Sequence, residues 1–455
     1  MKKKDLRSKE WFDNPNDPGL TALYLERYLN YGLKKKDLQS GKPIIGIAQS
    51  GSDLSPCNRH FQALSKTIKD GIREAGGVPM EFPTHPIQET GKRPTAALDR
   101  NLSYLSLVEV LFGYPIDGVI LTTGCDKTTP AALMAAATVN IPSIVLSGGP
   151  MLDGSYKGKK AGSGTIIWEA RKLHAKGEIN YDEFMDMAAA SAPSIGHCNT
   201  MGTASSMNSI AEALGMSLTG GAIIPAPYKK RESISFETGK RIVEMVHEDL
   251  TPSKIMTKEA FENAIYVASA IGASSNCPPH LTAIARHMGI DLDIDSWQKL
   301  GHDIPLLVNC QPAGEHLMEG FFKAGGIPAI MQELMKNYKL HKNVMTVTGK
   351  TVEENLNIKI DVDGNVIKSF KNPLVENAGF IVMKSNFFSS AVMKTSVISE
   401  EFRKRYLSNP KNPNIFEAHA VVFEGPEDYH KRINDENLKI DENSILMIRG
   451  CGPVG

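Results

Sequence analysis

The run Asp117-Gly118-Val119-Ile120-Leu121-Thr122-Thr123 leads directly into Gly124-Cys125-Asp126-Lys127, and this junction decides both the fold and the site. A short apolar run that ends at a glycine is typical of a buried strand. Similar runs at 43–48 and 142–146 alternate with helical patterns such as the one at 61–74. Strand, helix and strand at this spacing favour parallel pairing, because a parallel crossover needs a helix-sized connection. The sequence therefore predicts a three-layer α/β domain with a parallel sheet.

Three cysteines lie in three separate polar loops: Cys57 in Ser-Pro-Cys-Asn, Cys125 in Gly-Cys-Asp-Lys and Cys198 in Gly-His-Cys-Asn. They are 68 and 73 residues apart, so only the folded chain could bring them together, unlike the close pairs of a zinc ribbon. The loops of Cys57 and Cys125 follow predicted strands, and ligands of such sheets collect beyond the carboxyl ends of the strands. Three thiolates would leave a bound metal or cluster with one open position, which a Lewis-acid catalyst needs.

The alternative is that these cysteines are buried apolar residues, since free cysteine is often buried in the core. Their Gly, Asn, Asp, His and Lys neighbours disfavour a core setting. The other three cysteines have weaker cases as ligands: Cys310 follows an apolar run and is predicted to be core, Cys277 precedes two prolines in a loop near a possible site, and Cys451 lies in a glycine-rich turn.

Asp126 and Lys127 extend the Cys125 cluster with groups of a different chemistry. A carboxylate suits a hard cation and a thiolate a soft one, as two different metals would require. The alternative for the Asp126–Lys127 pair is a surface ion pair of little energetic value. Glu89 lies in a polar loop and, taken alone, is most simply a surface acid.

The chain divides into three predicted regions. Residues 1–42 form a polar, basic N-terminal arm, residues 43–345 form an α/β domain that binds the cluster and metal, and residues 346–455 form a β-rich C-terminal domain. In the last region, alternation at 358–362 before Asp363-Gly364 predicts a hairpin. Further predicted strands of that region are at 379–384, 418–423 and 444–448.

Composition excludes several classes of function. The 51 basic and 51 acidic residues cancel, so no global field favours nucleic acid or an anionic membrane. No run reaches the roughly 18 apolar residues of a membrane span. The charged start lacks the apolar segment of a secretory signal, and six cysteines in 455 residues form no disulfide framework, so we expect a cytoplasmic protein. No P-loop, dinucleotide fingerprint, nucleophile elbow or His-Glu-x-x-His motif occurs.

Several stretches resemble the dihydroxy-acid and sugar-acid dehydratases. They are Ser-Pro-Cys-Asn at 55–58, Thr-Thr-Gly-Cys-Asp-Lys-Thr-Thr-Pro-Ala at 122–131, Gly-His-Cys-Asn-Thr-Met-Gly-Thr-Ala at 196–204 and Val-Phe-Glu-Gly at 422–425. The resemblance implies an iron–sulfur hydro-lyase in which Cys57, Cys125 and Cys198 hold the cluster. It favours [2Fe–2S] and leaves [4Fe–4S] open. It also implies a Mg²⁺ held by Glu89, Asp126 and Lys127, with Lys127 carbamylated and thereby turned into an anionic oxygen ligand.

Glu89, with Arg93-Pro94-Thr95-Ala96 after it, resembles the pentonate branch of this family, which dehydrates arabinonate or xylonate to a 2-keto-3-deoxy acid. One alternative is the dihydroxy-acid dehydratase of branched-chain amino-acid synthesis, which resembles this chain but carries an Asp in Ser-Asp-Gly at that point. A second alternative is a non-catalytic iron–sulfur binding protein. A small sugar acid is the expected partner, and a homodimer or homotetramer the expected assembly.

The last motif, at 448–455, normally continues further in the family. The resemblance places the catalytic serine, which acts as the base, and one more Mg²⁺-binding glutamate beyond residue 455. We therefore expect the barrel-like C-terminal domain to be incomplete here, and a chain ending at Gly455 to have trace activity and poor solubility.

Overall fold

The computed structural model describes residues 5–30, 32–87, 97–337, 339–384, 389–411 and 415–451. The strands are β1 (Ile44–Gln49), β2 (Val78–Pro83), β3 (Gly118–Thr123), β4 (Ser143–Ser147), β5 (Gly154–Tyr156), β6 (Lys159–Ala161), β7 (Phe380–Met383), β8 (Ala391–Lys394), β9 (His419–Phe423) and β10 (Ser444–Ile448). The helices are α1 (Lys9–Phe12), α2 (Pro18–Leu29), α3 (Lys35–Leu38), α4 (Phe61–Glu74), α5 (Ala97–Gly113), α6 (Thr128–Val139), α7 (Thr165–Ala175), α8 (Tyr181–Ala190), α9 (Thr203–Ala213), α10 (Lys229–Glu248), α11 (Pro252–Ile255), α12 (Lys258–Ala270), α13 (Cys277–His287), α14 (Asp295–Gly301), α15 (Met318–Lys323), α16 (Gly326–Lys336), α17 (Val352–Leu356), α18 (Glu400–Tyr406) and α19 (Pro426–Arg432).

A four-stranded parallel sheet, in the order β2-β1-β3-β4, forms the centre of the N-terminal region. Every residue of β1, β3 and β4 is buried, as expected for a parallel sheet with both faces covered. The predicted α/β fold with a parallel sheet is thereby confirmed for this region. None of the helices in the described ranges is long and apolar enough to cross a bilayer.

The strand order places a topological switch point between β1 and β3. The crossover from β1 through α4 runs to β2 on one side, whereas the crossovers through α5 and α6 run the other way to β3 and β4. Because parallel crossovers are right-handed, α4 lies on one face of the sheet and α5 and α6 on the other. The connections that follow β1 and β3 therefore begin side by side at the carboxyl end of the sheet and continue to its opposite faces, and ligands bind at this point in folds of this kind. These are the loops that carry Cys57 and Cys125.

Two glycines let α4 and α10 pack closely on one face of the sheet. A Cβ added to Gly71 would lie 2.1 Å from the carbonyl oxygen of Phe236, and one added to Gly239 would lie 2.4 Å from the carbonyl oxygen of Ile68. Both distances are too short for any side chain. The helix pair therefore depends on backbone-to-backbone contact at this crossing.

The N-terminal arm is fixed to the sheet domain by a buried carboxylate. Asp117, just before β3, accepts hydrogen bonds from the backbone N–H groups of Ser8 (3.0 Å) and Ile44 (2.7 Å). Trp11 stacks on Tyr24 with ring centroids 4.1 Å apart. The arm thus packs against the sheet domain and is not a detached surface segment.

The C-terminal region differs from the predicted barrel-like domain. In its described residues, four strands form two separate pairs, antiparallel β7–β8 and parallel β9–β10, and no barrel is seen. The strands β9 and β10 pair in parallel because α19 connects them. The hairpin predicted around Asp363 is wrong: residues 358–362 form no strand, and the carbonyl of Asp363 closes a turn by accepting from the N–H groups of Val366 and Ile367.

The α4–α10 crossing gives a first prediction. Gly239→Ala should lower the free energy of unfolding by about 1–3 kcal/mol, because the added methyl forces the two helices apart. Gly113→Ala is the matched control, since a Cβ at that helical position would meet nothing within 4 Å. Urea unfolding of both variants measures the effect, and equal stability of Gly239→Ala and the unmodified protein would contradict the close crossing.

Candidate functional site

The Cys125 loop is a tight connection between β3 and α6. The hydroxyl of Thr128, the first residue of α6, donates to the carbonyl of Cys125 (2.9 Å) and accepts from the N–H of Gly124 (3.2 Å). These two bonds close the loop on itself. The cysteine and the two residues after it are therefore held at the end of the sheet.

The Cys57 loop contacts the Cys125 loop through Asn58. The side-chain oxygen of Asn58 accepts from the N–H of Cys125 (3.1 Å), and a Cβ on Gly124 would lie only 2.2 Å from that oxygen. Residue 124 must therefore be glycine for the two loops to meet. A side-chain hydrogen bond with Cys125 lowers the pKa of Cys57, against the opposing effects of burial and of the Asp126 charge. Two of the three predicted thiol ligands are thus in contact.

The Cys198 loop is placed by backbone contacts with the segment that follows β4. The N–H of His197 donates to the carbonyl of Gly149 (3.0 Å), and the N–H of Met151 donates to the carbonyl of His197 (2.9 Å). The hydroxyl of Ser205 on α9 donates to the carbonyl of Cys198 (3.2 Å). All three predicted cysteine loops therefore lie at the same end of the sheet.

Asn208 connects α9 to the Cys125 loop. Its amide nitrogen donates to the carbonyl of Gly124 (3.0 Å), and its oxygen accepts from the hydroxyls of Thr123 (2.9 Å) and Thr129 (3.2 Å). This buried amide thus links the end of β3, the loop and the first turn of α6. Sequence analysis missed it, although a single Asn on the apolar face of α9 is the kind of signal that could have identified it.

Asp126 and Lys127 form a buried ion pair, with Nζ 2.7 Å from Oδ2 and side chains only 2% and 7% exposed. The surface ion pair considered as an alternative is therefore wrong. The thiol of Cys125 donates to the other carboxylate oxygen of Asp126 (3.2 Å). A carboxylate, an amine and two thiols thus share one enclosed volume.

A second buried pair, Arg100 on α5 and His280 on α13, lies beside the first. A guanidinium nitrogen of Arg100 is 2.9 Å from Nδ1 of His280. Burial, with the charges of Arg100 and Lys127, lowers the pKa of His280 to about 3, so its imidazole is neutral. Asp126 acts on His280 in the opposite direction, which places the ring within Coulombic range of both members of the ion pair. Sequence analysis assigned no role to either of these residues.

Two further histidines flank the cysteine loops and are also neutral. Burial lowers the pKa of His60 to about 4 and that of His197 to about 3. Nε2 of His60 bonds the carbonyl of Gly148 (2.9 Å), and Nδ1 of His197 bonds the carbonyl of Cys198 (3.0 Å). Arg231, fully buried behind them, donates to three backbone carbonyls and supports the segment after β4.

Three helices begin at the site, and their N-termini lie together. The side-chain nitrogen of Asn276, the N-cap of α13, donates to the hydroxyl of Thr203 (3.0 Å), the first residue of α9. The helix α13, with His280 in its first turn, packs against α6, whose N-cap is Lys127. Because helix N-termini carry partial positive charge, this arrangement favours an anionic ligand.

Several buried polar atoms around the loops have no hydrogen-bond partner among the described residues. They are Oγ of Ser55, Nδ2 of Asn58, Nδ1 of His60, Nε2 of His197 and Nε2 of His280. Buried polar atoms are normally satisfied, so a cluster of this kind is typical of a pocket that receives a ligand. The contacting thiols and the buried carboxylate suit a soft and a hard metal centre respectively.

The remaining predicted site residues are placed as follows. Within the described ranges, no three His, Cys, Asp or Glu side chains stand in a ready-made metal-ligating arrangement. Glu89, with the Arg93-to-Ala96 segment after it, lies outside the described residues. Cys310 is buried, as predicted for a core residue. Cys277 is also buried, at the start of α13, and Cys451 is exposed.

The fold and the site together define a protein of the parallel α/β class whose buried thiol, carboxylate and amine groups lie at the switch point of the sheet. Two family models match the chain: dihydroxy-acid/6-phosphogluconate dehydratase N-terminal at residues 42–355 and the C-terminal model of the same family at residues 365–455. The chain belongs to this family and is a dehydratase, that is, a hydro-lyase.

Curated relatives extend over nearly the whole chain. A D-xylonate dehydratase of Caulobacter vibrioides is 60% identical over 99% of this chain and 76% of the relative. An L-arabinonate dehydratase of Rhizobium leguminosarum is 43% identical over 100% of this chain and 77% of the relative. A dihydroxy-acid dehydratase of Halothermothrix orenii is 35% identical over 93% of this chain and 75% of the relative.

Proposed function

We propose that this protein dehydrates a sugar acid, a pentonate of the D-xylonate type, to the corresponding 2-keto-3-deoxy acid. The observation that carries the proposal is the meeting of the Cys57 and Cys125 thiols beside the buried Asp126–Lys127 pair at the switch point. The 60% identity to a D-xylonate dehydratase supports the choice of substrate.

We propose that Cys57, Cys125 and Cys198 hold an iron–sulfur cluster, with [2Fe–2S] favoured over [4Fe–4S]. Asp126, a carbamylated Lys127 and Glu89 would hold Mg²⁺. The unpartnered polar atoms around these loops support the fit, because a bound group would satisfy them. When bound, the two centres supply Lewis acidity for the departure of a hydroxyl group and the loss of a neighbouring proton.

The protein's own groups bind and orient the anionic substrate. The starts of α6, α9 and α13 and the Arg100 guanidinium supply positive potential on a chain whose formal charges balance. The buried histidines are neutral and add donors or acceptors without adding charge.

The substrate proposal is tested by comparing turnover. The protein, purified anaerobically, should dehydrate D-xylonate or L-arabinonate with kcat/KM at least about tenfold above that for 2,3-dihydroxyisovalerate, because a pocket built for extra hydroxyls leaves polar groups unpaired with the branched-chain acid. A colorimetric 2-keto-acid assay measures all three. Preference for the branched-chain acid would overturn the pentonate proposal, and absence of turnover on every acid would favour a non-catalytic role.

The cluster assignment is tested by removing single thiols. Cys57→Ser, Cys125→Ser and Cys198→Ser should each lose visible absorbance, iron and sulfide, since a hydroxyl is a far poorer ligand for iron than a thiolate. Cys310→Ser is the control, because Cys310 is a buried cysteine whose thiol faces the carbonyl of Leu317. Full iron and sulfide in Cys125→Ser would show the assignment to be wrong.

The Lys127 carbamate is tested by isotope labelling. The neutral amine would form a bond to CO₂ and release one proton, so ¹³CO₂ should give one carbamate signal in ¹³C NMR that Lys127→Arg abolishes together with tight Mg²⁺ binding. Lys160→Arg is the matched control, because Lys160 also pairs with an aspartate, Asp153 at 3.4 Å, but is exposed. A carbamate signal that persists in Lys127→Arg would place the modification elsewhere.

We also propose that the protein is a homo-oligomer, most simply a two-fold dimer, joined through α5. One face of this helix exposes Leu98, Leu102, Leu105 and Phe112, each between 50% and 58% exposed. Their spacing puts them on one side of the helix, with the exposed Glu109 between Leu105 and Phe112. Clustered exposed apolar side chains mark an interaction site, and two-fold association is the commonest closed symmetry.

The oligomer proposal predicts a change in mass. Leu102→Glu with Leu105→Glu should give a monomer by light scattering at micromolar concentration, because two charges per copy would be buried at the contact. Ile358→Glu, at an equally exposed residue outside any helix or strand, should leave the mass unchanged. A monomeric unmodified protein would rule the proposal out.

A further inference from the structure

The Arg100–His280 pair is buried, and its guanidinium is held in one orientation. Both side chains are buried, at 7% and 4% exposure, and they come from helices far apart in the chain. Arg100 also donates two bonds to the side-chain oxygen of Asn101, which fixes the plane of its guanidinium. The guanidinium is thus held in one orientation against the imidazole.

This contact determines which nitrogen of His280 carries the hydrogen. A guanidinium has only donors, so Nδ1 of His280 must accept from Arg100. The hydrogen of the neutral imidazole is therefore on Nε2. That Nε2–H is buried and has no acceptor among the described residues, and an unsatisfied buried donor is destabilising.

The nearby Lys127 cannot satisfy this donor in its ordinary form. An ammonium has three donors and no acceptor, so it cannot accept a hydrogen bond from the Nε2–H of His280. The helix α13, whose first turn carries His280, packs against α6, whose N-cap is Lys127. A carbamate on the same nitrogen would replace these donors with anionic acceptor oxygens.

We infer that Arg100 and His280 are a positioning pair for the Lys127 carbamate: Arg100 fixes His280 as the Nε2–H tautomer, and Nε2–H donates to a carbamate oxygen. The inference rests on the proposed Lys127 modification and deepens it. The pair would stabilise the modified lysine over the free amine and orient its oxygens toward the metal. His280 would thus act through Lys127 and not on the reacting carbon.

The first test measures which ring nitrogen of His280 carries the hydrogen. In ¹⁵N-histidine-labelled protein, His280 should show a protonated Nε2 and an unprotonated Nδ1, and Arg100→Met should remove this preference. The measurement needs neither metal nor substrate. A protonated Nδ1 in the unmodified protein would overturn the inference without touching the proposed function.

The second test uses two variants of His280 whose side chains differ in length. The Gln amide can place a donor near the position of Nε2, whereas Asn is too short. His280→Asn should lower the carbamate fraction by ¹³C NMR and the Mg²⁺ affinity by calorimetry about tenfold, the worth of one charge-assisted hydrogen bond. His280→Gln should retain both within about threefold. His287→Asn, on the same helix but in contact with Tyr104 and Thr138, is the control.

The outcomes separate the two proposals. If the unmodified protein forms no carbamate, the proposed role of Lys127 fails, and this inference fails with it. If the carbamate forms but His280→Asn keeps its full fraction and Mg²⁺ affinity, only the role of His280 is overturned. A rise in KM alone in His280→Asn would show that the donor serves the substrate, which also overturns the inference.

Discussion

The reversal of crossover direction between β1 and β3 is the constraint on which the rest of the site depends. It opens the sheet at a single point, and the loops after these two strands meet there. Gly124 lets them meet, since any side chain at that residue would overlap Asn58. The position of Cys125 relative to Cys57 is thus set by the strand order and by the lack of a side chain at Gly124.

The site concentrates positive potential in a protein whose formal charges balance. The Arg100 guanidinium is buried within it, and three helices begin there. Burial keeps the surrounding histidines uncharged, so the potential comes from a few fixed groups. Such a local potential favours an anionic ligand, while the balanced formal charges of the whole chain give no long-range attraction for polyanions.

Sequence reasoning succeeded where the relevant information is local. The helix α4 and the strand β10 have the predicted bounds, because periodicity and flanking glycines mark them. The strand β2 was not predicted, because its two prolines argue against a strand. Proline is tolerated in an edge strand, and β2 lies at the edge of the sheet. The predicted barrel-like arrangement is not seen in the described part of the C-terminal region, where β9 and β10, connected by α19, form a separate parallel pair. The Arg100–His280 contact joins residues 180 positions apart, and no local pattern encodes such a pairing.

The loops at the site contact one another through side chains from distant parts of the chain. Asn58, Thr128 and Asn208 supply the bonds that position the Cys125 segment. The three bonds come from a loop and two helices, so this segment is held from several sides at once. A substitution at Asn58 or Asn208 would therefore displace the Cys125 thiol without removing it.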